Sequence, residues 1–252
     1  MKALIKKILQ KYNYDIIRTN RGWRIPHDFE KLHRRVFNKV VAHTMTSPER
    51  IYSLVEAVNY IEKNHIEGDI VECGVWRGGS MMAVAEILKK HNSFSRQLYL
   101  YDTFEGMPEP TEKLDITIHG QDAASLLKQD DNKETNPVWA YSTLDTVRNG
   151  MSTTGYPANK ITYVKGKVEE TIPGTVPREI AILRLDTDWY ESTRHELIHL
   201  FPLLTMGGVL ILDDYGHWQG ARKAVDEYFE KNNTRILLNR IDETGRIAIK
   251  QT

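Results

Sequence analysis

The sequence predicts an α/β fold built on a seven-stranded, mainly parallel sheet with helices on both faces. Three observations carry that prediction. Five short apolar runs, at Asp69–Cys73, 98–101, Ile161–Lys165, Ile180–Leu185 and 208–212, are separated by helical stretches. Strands that are apolar throughout belong in a sheet covered on both sides. Two further segments, 235–241 and 246–250, flank the polar turn Asp242-Glu243-Thr244-Gly245. Only a hairpin spans so short a link, so one strand of the sheet runs antiparallel. Finally, an acid stands at the end of four strands, at Glu72, Asp102, Asp186 and Asp213. Ligands of open parallel sheets lie beyond those ends.

The 252-residue chain carries 34 Lys and Arg against 34 Asp and Glu, so it lacks the basic excess that nucleic-acid binding requires. At 40% hydrophobic residues it has material for one ordinary α/β core. A single cysteine, Cys73, rules out a disulfide framework and points to a reducing compartment, the cytoplasm. No run is long enough for a membrane span.

Taken in order, the chain opens on MKALIKKILQKYNYDIIR, whose apolar residues are broken by Lys6, Lys7 and Lys11. It therefore lacks the uninterrupted apolar core of a signal peptide. It reads as a basic amphipathic helix that caps the domain or forms an oligomer interface, with a homodimer expected. Contact with a membrane surface is the competing reading. Residues 21–46, with Trp23, Pro26, Phe29 and Phe37, complete an N-terminal helical arm over 1–46, ahead of a main domain at 47–252. Ser47-Pro48-Glu49 is a strong helix start: a capping hydroxyl, a proline at the first helical position, and an acid facing the positive helix end. Ile51, Leu54, Val55, Val58 and Ile61 repeat at helical spacing behind it.

Next comes the stretch Gly68-Asp-Ile-Val-Glu72-Cys-Gly74-Val-Trp76-Arg77-Gly-Gly79-Ser80. A strand that passes through a glycine-rich turn into a helix brings backbone N–H groups close to a ligand. The dinucleotide fingerprint G-x-G-x-x-G is excluded, because Trp76 stands two residues after Gly74. The stretch is similar to the first motif of S-adenosylmethionine (SAM) methyltransferases, with Trp76 in place of the middle glycine.

A helix at 80–90 carries Met81, Ala85 and Leu88, and the second strand ends in Asp102. Residues 103–141 show little periodicity and contain Gly106, Pro108, Pro110 and Pro137. So long a loop is uncommon in a compact domain unless it is functional, and it reads as a lid insertion. A helix at 142–151 follows, with Ser142 and Asp145 spaced as a capping box. The fourth strand leads into a helix at 191–204 bearing Leu197, Ile198 and Phe201. The fifth leads into Gln219–Lys231, with Val225, Tyr228 and Phe229.

Any one strand-terminal acid is as well explained as a turn former or a cap. Four on one rim are harder to dismiss. Asp102, about thirty residues after Glu72, stands where an acid binds ribose hydroxyls in Rossmann-type sites. The pairs Asp186/Asp188 and Asp213/Asp214 end successive strands and are expected to converge. Three carboxylates without a nearby cysteine suit Mg²⁺ or another hard cation. His217, beside Trp218, reads as a packing or substrate-contact residue.

These segments together carry a family resemblance. Ala42-His-Thr-Met45, Glu72-x-Gly-Val-Trp-Arg-Gly-Gly79, Asp102-Thr-Phe-Glu-Gly106, Leu183-Arg-Leu-Asp-Thr-Asp188-x-Tyr190 and Gly207-Gly208…Asp213-Asp-Tyr215 occur in order over residues 40–230. The set resembles the macrocin O-methyltransferase family, SAM-dependent enzymes of the Rossmann-like class that methylate sugar hydroxyls of macrolide antibiotics. The resemblance implies that Thr44 and Met45 close over SAM and that Glu72, Gly74, Arg77, Gly79 and Ser80 hold its methionine end. It places Asp102 at the ribose and adds Thr103 and Asp186 to the cofactor set. It also implies that Asp188, Asp213 and Asp214 hold Mg²⁺, with Asp188 as the general base. The expected activity is Mg²⁺-dependent methyl transfer to a sugar hydroxyl of a glycosylated natural product or polysaccharide. Two alternatives stand beside it: a catechol or phenol acceptor, which also chelates a metal, and a SAM-binding protein without catalysis. The carboxylate set argues against the second alternative.

Overall fold

Strands form here because apolar side chains are buried on both of their faces. The computed structural model describes residues 19–20, 22–110, 113–129, 132–134 and 137–251. The basic helix expected over residues 1–18 lies outside these. A small pair, β1 (Thr19–Asn20) and β2 (Trp23–Arg24), precedes α1 (Lys31–Val40) and α2 (Pro48–Lys63). Then follow β3 (Asp69–Cys73), α3 (Gly79–Lys90), β4 (Leu98–Asp102), α4 (Ala123–Lys128), α5 (Leu144–Ser152), β5 (Ile161–Lys165) and α6 (Val168–Thr171). The chain closes with β6 (Ile180–Leu185), α7 (Tyr190–Leu200), β7 (Leu204–Leu212), α8 (Gln219–Lys231), β8 (Asn239–Arg240) and β9 (Arg246–Ile249).

Seven strands make the predicted sheet, in the order β5-β4-β3-β6-β7-β9-β8. The first five are parallel, and β9 runs against both of its neighbours. The chain steps outward from β3 to β5 and returns to the other side of β3 as β6. That reversal opens a crevice at the strand ends. Alternate strand residues serve two cores. Ile70, Leu98, Leu100, Ile182 and Ile211 pack with Phe37, Val58 and Leu88 of the first three helices. Val71, Tyr101, Leu183, Leu210 and Leu212 pack with Leu197, Val225 and Phe229 of α7 and α8. Each fully buried side chain of this kind contributes roughly 1.5–3 kcal/mol.

Several details differ from the sequence expectation. The helix expected from residue 142 starts at Leu144, capped by Thr143, whose hydroxyl accepts from the Thr146 amide at 3.2 Å. Ser142 is buried and forms no capping box with the exposed Asp145. Helix α7 stops at Leu200 because Pro202 supplies no N–H, and a 3₁₀ turn, Phe201–Leu203, follows. Ile198 faces solvent rather than the core. β7 begins at Leu204, not 208, because Gly207 and Gly208 join the β9 ladder through Lys250. The penultimate strand shortens to Asn239–Arg240. The 103–141 segment has structure of its own. Asp122 caps α4 through Ser125 N at 2.8 Å, and Met107, Leu126, Val138 and Trp139 pack with Trp189 and Trp218.

The terminal turn is clasped to the start of α2. Asp242 accepts from Ser47 Oγ at 2.6 Å, Arg50 Nε at 2.7 Å and the Gly245 amide at 2.7 Å. Burial alone would raise this carboxyl, but those bonds and the Arg50 charge outweigh it and hold it at about 2. A depressed folded-state pKa contributes stability above the unfolded value, lost as pH falls through the folded one. Asp242→Asn should therefore cost about 2 kcal/mol at neutral pH, and the deficit should shrink below about pH 4. Urea midpoints of both proteins from pH 7 to pH 3 test this, and a gap independent of pH contradicts it.

Candidate functional site

The turn after β3 is built around the next strand's acid. Asp102 Oδ2 accepts from the amides of Val75 at 2.7 Å and Trp76 at 3.1 Å, and Oδ1 accepts from Phe104 N at 2.6 Å. Trp76 stands in the left-handed region, with φ of 48°, a conformation a glycine takes at little cost. The bond to Asp102 holds its backbone, and the Arg77 guanidinium lies 4.7 Å over its ring. Gly74 is required by proximity, since a β-carbon there would strike the Asp186 carbonyl. Gly79 donates to the His43 carbonyl at 2.9 Å, and a β-carbon there would collide with it. The 43–46 segment is thereby pinned over the turn.

A cavity of about 570 Å³ opens beside this turn, a size that suits a cofactor. Thr44, Met45, Glu72, Gly74, Gly79 and Ser80 line one part of it. Asp102, Thr103, Asp186, Asp188, Asp213 and Asp214 line the rest of the predicted site. Arg77 is the exception: it is exposed, and its contact is with the Trp76 ring rather than with the cavity.

Arg184 binds the acidic rim together. Its Nη1 donates to Glu72 Oε1 at 2.8 Å and Asp186 Oδ2 at 2.7 Å, and its Nη2 donates to Asp213 Oδ1 at 2.6 Å. The register of β3 against β6 sets Arg184 directly beside Glu72. Arg50 donates to the other oxygen of Asp213, and Thr46 donates to Oδ1 at 3.3 Å. Burial would raise Asp213, but the two arginines outweigh it and hold it below the usual carboxylate range. Asp186 and Asp214 are pushed well above that range, first by burial and then by neighbouring carboxylates. Asp188 rises to about 7, by burial and then by the charges of Asp186 and Asp213. Glu72 also rises to about 7, because burial exceeds the pull of Arg184.

The carboxylates that converge are not the expected trio. Asp186, Asp213 and Asp214 each bring one oxygen within 4.8 Å of the others. Arg184 draws Asp186 to Asp213, whereas Asp188, at φ of 67°, turns toward Asp214. His217 lines the cavity, its pKa lowered by partial desolvation of its ring and then by Arg50 and His119.

Five residues outside the expected set also contribute to the site. Arg184 had a signal, since a charge inside an apolar strand demands partners. Gly166, Lys167 and Glu169 after β5 also line the cavity, and Ser192 donates to Glu169 at 2.6 Å. Their signal was position, at the carboxyl end of a parallel strand. Arg50 had none, being one of several charges on a helix start.

A switch-point cavity with a glycine turn braced by the next strand's acid is a nucleotide-type ligand site of the Rossmann-like class. The model of the Macrocin-O-methyltransferase (TylF) family matches residues 7–249, and the chain belongs to that family. It is 34% identical over 205 residues to the 8-demethyl-8-(2,3-dimethoxy-alpha-L-rhamnosyl)-tetracenomycin-C 4'-O-methyltransferase of Streptomyces olivaceus, covering 81% of this chain and 74% of the relative. It is 32% identical over 205 residues to the mycinamicin III 3''-O-methyltransferase of Micromonospora griseorubida, covering 81% and 77%. The solved O-methyltransferase NovP superposes with a TM-score of 0.72 at 28% identity, covering 99% of this chain and 98% of that one. The protein is a SAM-dependent O-methyltransferase. Among the described residues, no helix is long and apolar enough to cross a membrane.

Removing one partner from a buried ion cluster leaves the rest uncompensated. Arg184→Met should therefore cost about 3–5 kcal/mol in urea unfolding, more than an ordinary core substitution. An unchanged midpoint would contradict the clamp.

Proposed function

We propose that this enzyme transfers a methyl group from SAM to a sugar hydroxyl of a glycosylated natural product or glycan, with Mg²⁺ held at the acidic rim. The observation that carries this reading is the convergence of Asp186, Asp213 and Asp214 beside Asp188, in the cavity that holds the glycine turn. The relatives support a sugar acceptor, since their names give mycinamicin III and a rhamnosyl tetracenomycin as substrates.

The residues present suit both groups. Gly74 and Gly79 let the turn pack directly against Asp186 and the 43–46 segment, and Glu72 and Ser80 line the cavity beside them, where the methionine end of SAM fits. Thr44 and Met45 stand over that place. Val75 and Trp76 use both lone pairs of Asp102 Oδ2, but Oδ1 has one beyond its bond from Phe104, so Asp102 serves the turn and accepts from a ribose hydroxyl at once, with Thr103 alongside. At the rim, Glu72, Asp186, Asp188, Asp213 and Asp214 outnumber the guanidiniums of Arg50 and Arg184. An oxygen-only donor set with more carboxyl groups than guanidiniums suits a hard divalent cation, which favours their ionised forms.

SAM supplies a methyl group already activated on a sulfonium, and a divalent cation supplies charge that acidifies a neighbouring hydroxyl. The chain supplies the rest. Asp188, on the cavity wall, takes the proton of the acceptor hydroxyl, and its left-handed backbone sets its orientation. Met107, Leu126, Val138 and Trp218 form an apolar wall that excludes water. Holding the acceptor oxygen in line with the methyl group is worth up to ~7–11 kcal/mol.

Asp188→Asn keeps the shape and removes the base. Turnover with a glycosylated macrolide or rhamnoside acceptor should fall by ~10²–10⁴-fold, with calorimetric affinity for the demethylated cofactor nearly unchanged. Undiminished turnover would remove Asp188 from the chemistry. Dialysis against EDTA should abolish activity with sugar acceptors, and Mg²⁺ should restore it. Full activity in EDTA would refute the metal. Turnover confined to catechols would move the acceptor to the phenol class.

A further inference from the structure

The two helices that follow the strands ending at Asp186 and Asp213 begin without a cap of their own. Helix α7 starts behind Trp189 and α8 behind Trp218, and neither tryptophan side chain caps its helix. The first amides of a helix need acceptors from elsewhere. Here the 103–141 segment supplies them. Asp115 Oδ1 accepts from Tyr190 N, the first amide of α7, at 2.8 Å. The adjacent Ile116 carbonyl accepts from Gln219 N, the first amide of α8, at 2.9 Å. A carboxylate is also favoured at the positive end of a helix.

Asp115 is buried, with 1% of its surface exposed. Its Oδ1 lies so close to Gly220, in the first turn of α8, that a β-carbon there would collide with it. Its backbone carbonyl accepts from Ala123 N at 2.9 Å, which ties it to the start of α4. Two more bonds continue the seam: Ile118 N to the His217 carbonyl at 2.9 Å, and Gln219 Nε2 to the Thr117 carbonyl at 3.1 Å. Thr117, Gln121 and Leu126 of this segment line the same cavity as Asp188 and Asp214. The two acid loops are themselves tight turns, closed by Trp189 N to Thr187 O at 2.8 Å and Trp218 N to Asp214 O at 3.0 Å.

We propose that Asp115 is a latch, a positioning residue that joins the acceptor-side wall of the cavity to the two loops bearing Asp188 and Asp214. Wall and acid loops then open and close as one unit. This goes beyond the proposed function and holds for any acceptor class.

Hydrogen exchange of the full chain, free and saturated with the demethylated cofactor, tests the latch in Asp115→Ala, Asp115→Asn and Gly220→Ala. Asp115→Ala should speed exchange about tenfold or more in 113–126, 186–190 and 214–220 together. Exchange across 69–80 should stay at the wild-type rate, and affinity for the demethylated cofactor should stay within about threefold of wild type. Asp115→Asn keeps an oxygen for the Tyr190 amide and should restore protection. Gly220→Ala, ordinarily favourable inside a helix, should reproduce the Asp115→Ala pattern, because its methyl occupies the latch's place. Loosening confined to 113–126, loosening spread evenly over the sheet, or an Asn variant no better than Ala would overturn the proposal. Should Asp115→Ala fail to fold, wild-type exchange in Gly220→Ala overturns it alone.

Discussion

One guanidinium holds the working end of this sheet together. Arg184 reaches Glu72 on β3, Asp186 at the end of its own strand and Asp213 at the end of β7. Burying one such charge is costly unless every donor finds a partner. That requirement makes the arrangement specific: a slip of one residue in register would turn Arg184 to the opposite face, into the apolar core beneath α7 and α8. Arg50 continues the network from Asp213 to Asp242, so the start of α2, two strand ends and the terminal hairpin share one set of charges.

In the proposed assignment the cavity has a cofactor side and an acceptor side, and the two depend on this network differently. The cofactor side is mostly backbone: a glycine turn, its brace at Asp102, and the 43–46 segment pinned over Gly79. Backbone geometry of that kind is tied to the sheet and should vary little. The acceptor side is assembled from 103–141 and the first turns of α7 and α8. Its 103–141 part meets the strand ends through the loops that bear Asp188 and Asp214, and loops are where changes of acceptor are most easily accommodated.

The fold was almost wholly legible in the sequence, because strands such as Ile180–Leu185 are buried on both faces and need no context to be recognised. The strand-end acids were legible for the same reason, since position in a parallel sheet gives them a common rim. Their grouping was not. Spacing offers no way to tell that Asp186 joins Asp213 while Asp188 turns toward Asp214, because Arg184 and a left-handed backbone at Asp188 decide it. The order within 103–141 was also hidden. Met107, Val138 and Trp139 have no periodicity because their partners, Trp189 and Trp218, lie far along the chain. At Trp76 the glycine pattern was broken in sequence but kept in conformation.

The rim admits two ways of balancing its charge: the two arginines alone, or the arginines with a divalent cation. Crystals grown with the demethylated cofactor and Mn²⁺ in place of Mg²⁺ separate them by anomalous scattering. A manganese peak is expected among Asp186, Asp213 and Asp214, with Asp188 beside it and the Arg184 contacts to Glu72 and Asp213 kept. A well-ordered cofactor in the cavity with no anomalous peak at those three carboxylates would contradict it.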